Sequence, residues 1–164
     1  MSWTSGLKIL AGATLMDVSV SENGERFRQL LTESFHGTWS IAYEFSSKGL
    51  RVDYTGNLYG PMRLPLLGKL DPRPEYSTWW SIQNIQLTKT FSNQWEIYGG
   101  IKNLLDFTPD SSSIARPYDP FDQNVVFGND GQVIPTAENP YALTFDPSYV
   151  YAANQGIRGF IGIR

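Results

Sequence analysis

Trp79 to Asp106, WWSIQNIQLTKTFSNQWEIYGGIKNLLD, holds two β-runs joined by a short polar turn at Ser92, Asn93 and Gln94. In the second run Trp95, Ile97, Gly99 and Ile101 alternate with Glu96, Tyr98, Gly100 and Lys102. Successive side chains of a strand point to opposite faces, so the pattern predicts one apolar and one polar face. In the first run Ile85 and Leu87 share a face while Ile82 falls on the other, and a β-bulge near Gln83 would reconcile them. Aromatic residues mark the ends, Trp79 and Trp80 at one and Phe91 and Trp95 at the other. Such a hairpin suits a transmembrane β-barrel, and it equally suits a soluble sandwich.

Working outward, four further strands are expected. Thr38 to Phe45 sends Trp39, Ile41, Tyr43 and Phe45 one way and Thr38, Ser40, Ala42 and Glu44 the other. After the turn Ser46-Ser47-Lys48-Gly49, residues 50–59 place Leu50, Val52, Tyr54 and Leu58 opposite Arg51, Asp53, Thr55, Asn57 and Tyr59. Gly49 supplies the positive φ that such a turn requires. Residues 156–164 alternate Ile157, Gly159, Ile161 and Ile163 against Arg158, Phe160, Gly162 and Arg164. Residues 7–20 form the least regular candidate, followed by the turn pair Asn23-Gly24 and a short helical turn over 25–32. The expected strands are therefore 7–20, 38–45, 50–59, 79–91, 95–105 and 156–164, an all-β, up-and-down antiparallel sheet.

Composition excludes several classes. The 164 residues carry a net charge of -3, which offers no basic nucleic-acid surface, and no cysteine, which removes thiolate metal sites and disulfides. No apolar run approaches the ~18 residues of a spanning helix, a criterion to which membrane strands are invisible. Residues 1–6 lack a basic and apolar leader, so a chain working outside the cytoplasm would be mature or a piece of a longer one. Prolines at 61, 65, 72 and 74 keep 60–77 irregular. Six more prolines and eight aromatic residues mark 107–155 as a long loop able to bury area.

Connection lengths then discriminate. Residues 21–36, 60–77 and 107–155 are long, 46–49 and 92–94 are short, and the two kinds alternate. All long connections of an up-and-down sheet then lie at one end, the asymmetry of outer-membrane barrels. A sandwich has no general reason to produce it.

The runs RVDYTGNLYGPMRLP (51–65), SIQNIQLTKTF and WEIYGGIKNLLDFTP (81–91 and 95–109), RPYDPFD (116–122) and FDPSYVYAANQGIRGFIGIR (145–164) also resemble the last part of a TonB-dependent outer-membrane receptor of the Bacteroidetes type. Asn103-Leu104-Leu105-Asp106 is similar to a signature of these barrels. The resemblance spans nearly the whole chain. It implies the last six strands of a 22-stranded barrel in the outer membrane, with the long connections outside the cell. It further implies partners in outer-membrane lipid, the remainder of the barrel, its plug domain and the TonB complex, driving uptake of a siderophore, cobalamin, glycan or peptide. The plug and the TonB-contacting segment are absent from this sequence. It also stops at Arg164, a few positions short of the aromatic terminus usual in such barrels, so both ends look cut.

Candidate site residues follow from placement. Arg51, Asp53, Asn57 and Arg158 would line the lumen or pair with one another to stiffen the wall. Trp39, Trp80 and Trp95 would form the membrane-interface girdle, or else a sandwich core or sugar-stacking platform. Loop aromatics Tyr118, Phe121 and Tyr149 would contact a substrate or pack within their loop. His36, the single histidine, reads as a solvated loop residue, and Asp110, Asp119, Asp122 and Asp130 have turn chemistry rather than an EF-hand spacing. With no catalytic constellation, the expectation is a non-enzyme without cofactor. A soluble β-sandwich binding module, for carbohydrate, is the alternative, and a β-rich hydrolase using the loop aspartates a third reading.

Overall fold

A computed structural model describes residues 6–92, 95–108, 125–145 and 156–164, together with the backbone of 115–116 and 150–151. Six strands form one antiparallel sheet: β1 (Leu7–Leu15), β4 (Phe35–Phe45), β5 (Leu50–Tyr59), β6 (Trp80–Thr90), β7 (Glu96–Lys102) and β12 (Arg158–Ile163), neighbours in that order. Three two-stranded ribbons lie in the connections. They pair β2 (Ser19–Glu22) with β3 (Glu25–Arg28), β9 (Val126–Phe127) with β10 (Val133–Ile134), and β8 (Ala115–Arg116) with β11 (Val150–Tyr151). No α-helix occurs among the described residues.

The expected alternation holds across the sheet. The register aligns Ile9, Ile41, Tyr54, Ile85 and Ile101 in one row, and Leu7, Tyr43, Val52, Leu87, Gly99 and Ile161 in another. Both rows belong to one face, which is apolar. Between them, Ala42, Asp53, Gln86, Gly100 and Phe160 line up on the opposite face, followed by Glu44, Arg51, Thr88, Tyr98 and Gly162. Long connections and tight turns alternate strictly, so 16–34, 60–79 and 103–157 leave from one end of the sheet and 46–49 and 91–95 from the other.

Several expectations are corrected. The first strand stops at Leu15 instead of residue 20. Asn23 and Gly24 both take positive φ, 51° and 84°, the geometry of a tight hairpin turn, so Ser19–Glu22 folds back on Glu25–Arg28. That pairing also replaces the helical turn expected over 25–32. No bulge interrupts β6, whose register with β5 runs unbroken from Leu50 opposite Lys89 to Tyr59 opposite Trp80. Ile82 therefore lies on the polar face opposite Asn57. The fourth strand of the chain starts at Phe35, three residues earlier than expected, and β7 ends at Lys102 because Asn103 turns to φ 53°.

Among the described residues no second layer covers the apolar face. The substantial contacts between elements all join hydrogen-bonded neighbours. Only two apolar side chains among the described residues are buried, Ala42 at 8% exposure and Leu64 at 3%, and Ala42 is on the polar face. A soluble domain of this length buries about two thirds of its chain's surface around one core. Here Ile9, Leu87, Ile97, Ile161 and Ile163 stay open, Ile161 at 82%. The second layer required by a sandwich is not supplied by the described residues.

Candidate functional site

The polar face is concave, with a groove of about 870 Å³ lined by Arg51, Asp53, Thr55, Asn84, Gln86 and Thr88 among others. Arg51 donates from Nε and Nη2 to Asp53 Oδ1 at 2.9 and 2.6 Å. Glu96 pairs with Arg164 at the tight-turn end. Gln86 donates to Thr88 Oγ1 at 3.1 Å, and the Lys102 ammonium stands 5.4 Å over the Phe160 ring. The groove thus presents amides, hydroxyls and largely matched charges.

Of the sequence-derived lumen set, Arg51, Asp53 and Asn57 share this face, and Arg51 and Asp53 form the ion pair. Arg158 is on the same face three strands away, opposite Lys102. Trp39 and Trp80, grouped together by the sequence, are on different faces. Trp39 is on the apolar face and rests on Gly56, where a Cβ would overlap its indole ring. Trp80 faces the polar side, because it is an odd number of positions from Ile85 in an unbroken strand. There it stacks on Tyr59 at 3.8 Å and on Phe107 at 5.2 Å. His36 extends this ladder, 4.6 Å from Tyr59, and so is a half-buried strand residue and not a solvated loop one.

The aromatic that turns outward at the long-connection end is Trp79, 54% exposed and 5.5 Å from Phe35. Alternation counted back from Ile85 would have found it. At the tight-turn end Trp95 is 58% exposed and its carbonyl accepts the Phe91 N–H at 2.9 Å, while Phe45 ends β4 at the same end of the sheet. The apolar face also carries a carboxamide, Gln83, whose polar atoms are met within the sheet. Its Oε1 accepts from the Tyr54 hydroxyl at 2.6 Å, and its Nε2 donates to Ser81 Oγ at 3.2 Å. The Ser81 hydroxyl in turn donates to the Asn57 carbonyl at 2.8 Å.

Asn103 and Asp106 have a concrete task. The Asn103 carboxamide donates to the Phe107 carbonyl at 2.8 Å and accepts the Phe107 N–H at 3.0 Å. Asp106 Oδ1 accepts the Ile157 N–H at 2.7 Å. The pair therefore clamps the two ends of the longest connection together at the sheet.

In the connection 60–79, burial works to raise the Asp71 carboxyl. Hydrogen bonds from the Arg73 side chain and from the Leu67 and Arg73 N–H groups outweigh it, and the value falls to about 2. Tyr141 Oη accepts the Leu70 N–H at 3.1 Å and ties this connection to the next.

No family model, curated protein or solved structure matches the chain. Tyr118, Phe121 and Tyr149 lie outside the described residues, as do Asp110, Asp119 and Asp122. Asp130 accepts the Gln132 N–H at 3.1 Å, a turn bond. No group of three or more His, Asp or Glu stands at metal-binding separation among the described residues.

Proposed function

We propose that this chain forms part of the wall of an outer-membrane β-barrel, in a TonB-dependent receptor that takes up a scarce nutrient. The observation that carries the reading is the pairing of an apolar face that no described residue covers with a concave polar one. In water such a face is a liability, whereas hydrocarbon supplies its missing partner. Gln83 also suits lipid, since polar groups there need partners within the protein.

Dimensions agree with this reading. Phe35 and Phe45 end the 11-residue β4. At roughly 3.3 Å per residue they are about 33 Å apart along the strand. A tilt of about 40° reduces that to about 25 Å, the height of the apolar band of such barrels. Phe35 with Trp79 would sit at the outer boundary, and Phe45 with Trp95 at the inner one. Further strands of the receptor would pair with the free edges of β1 and β12, since hydrocarbon leaves no unpaired backbone groups. The reading assigns transport, not catalysis, with Arg51, Asp53, Asn57 and Arg158 on the lumenal side.

Antibodies test both location and orientation. One raised against 129–141 is expected to decorate intact producing cells. One raised against 46–49 is expected to bind only after permeabilisation, with the antigen in the outer-membrane fraction. Recovery of the protein in the soluble fraction, or the reverse pattern of access, would refute the assignment.

A further inference from the structure

Away from the sheet, the β2–β3 hairpin and the connection 60–79 border a second, open cavity of about 670 Å³. Bridges from Leu30 to Arg63 and from Glu33 to Met62 hold its walls together. Phe27, Leu30 and Leu64 line it, and Leu64 is the most deeply buried apolar side chain described. Val20 and Leu30 leave 45% and 42% of their surface open at its edge. Exposed apolar surface around a concavity with a few polar groups is the usual composition of a small-molecule site.

Its cations are unequal. Arg63 is already matched, 3.2 Å from Glu75 and 5.3 Å over the Phe27 ring. Arg28 donates from Nη2 to the Met16 carbonyl at 2.9 Å, yet its Nε is buried with no hydrogen-bond partner. An unmet N–H on a charged guanidinium is costly, and a carboxylate is the acceptor best matched to it. Lys69 adds a further positive charge to the lining, whose two carboxylates are Glu22 and the Glu75 already engaged by Arg63.

We propose that this cavity binds a small amphiphilic carboxylate, its apolar body against Phe27, Leu30 and Leu64 and its carboxylate at Arg28 and Lys69. The site goes beyond the receptor reading and does not depend on it, because the connections form it whatever covers the sheet.

The chain has no cysteine, so Val20→Cys gives a unique thiol at the cavity edge. In the reconstituted full chain, its rate of maleimide modification is followed with 4-phenylbutyrate, 4-phenylbutan-1-ol or 4-phenylbutylamine present. The carboxylate is expected to protect at concentrations at least about tenfold lower than the alcohol or amine, the equivalent of one good charged contact. That preference should fall severalfold in Arg28→Gln and, with the Met16 contact left intact, in Lys69→Gln. A second reporter, Ile161→Cys on the sheet, should show no preference for the carboxylate. Equal protection by the three compounds, or an unchanged preference in both variants, overturns the proposal.

Discussion

Ile85 and Gln86 are consecutive residues of β6, and they meet opposite surroundings. Ile85 stands in a row with Ile41, Tyr54 and Ile101 on a face that no other layer of the described residues touches. Gln86 stands beside Asp53 above a groove lined with hydroxyls and amides. A soluble sandwich makes the opposite choice, hiding its apolar face and wetting the other. In this sheet the concave side is the polar one, which teaches that curvature and polarity must be read together. Alternation alone is shared by both architectures.

The strongest way to break the contrast is to move a charge across it. Ile85→Arg is expected to cost about 2–4 kcal/mol of unfolding free energy in lipid, as charges do at the middle of a barrel's outer face. Gln86→Arg, one residue on, should cost less than about 1 kcal/mol, the size of one lost polar contact. Denaturant titration in vesicles compares the two, and equal costs would mean that the apolar face does not meet hydrocarbon.

A probe off both faces comes next. The folded Asp71 carboxyl lies near 2, below its ordinary 3.8. The stabilisation is therefore fully present above the unfolded value and is lost as pH falls from about 4 toward 2. About 2 kcal/mol of local stability is at stake. Amide-exchange protection at Leu67 and Arg73 should drop over that window and be insensitive to it in Asp71→Asn. The same fall in the variant would assign the loss to another group.

The smallest effect is expected within the groove. Arg51→Met removes the ion pair with Asp53, whose Arg51 side chain is 53% exposed. Solvated pairs contribute about 0–1 kcal/mol. A loss above about 3 kcal/mol in the same titration, typical when a buried pair is broken, would show the groove to be dry.

Legibility differed by element. Strands 38–45 and 50–59 could be read because strict alternation and a glycine-bearing turn are local features. Residues 7–20 could not, since small and apolar side chains mix there and the Asn23-Gly24 turn captured Ser19–Glu22 for a separate hairpin. The face of Trp80 follows from parity along β6 and not from its place at a strand end, and its stacking partners come from β5 and from the turn after β7. Leu70 and Tyr141, 71 residues apart, carry no mutual signal in the sequence.

Period-two alternation, turn residues and the rhythm of connection lengths by themselves determined six antiparallel strands, two unlike faces and one end rich in long connections. Each of these depends only on residues close in the chain. Tertiary structure alone decided that the polar face is concave, that Gly56 seats Trp39, that Asn103 and Asp106 clamp a distant strand, and that two connections border a cavity. Those features depend on register and on contacts between segments far apart in sequence, which a local pattern does not encode.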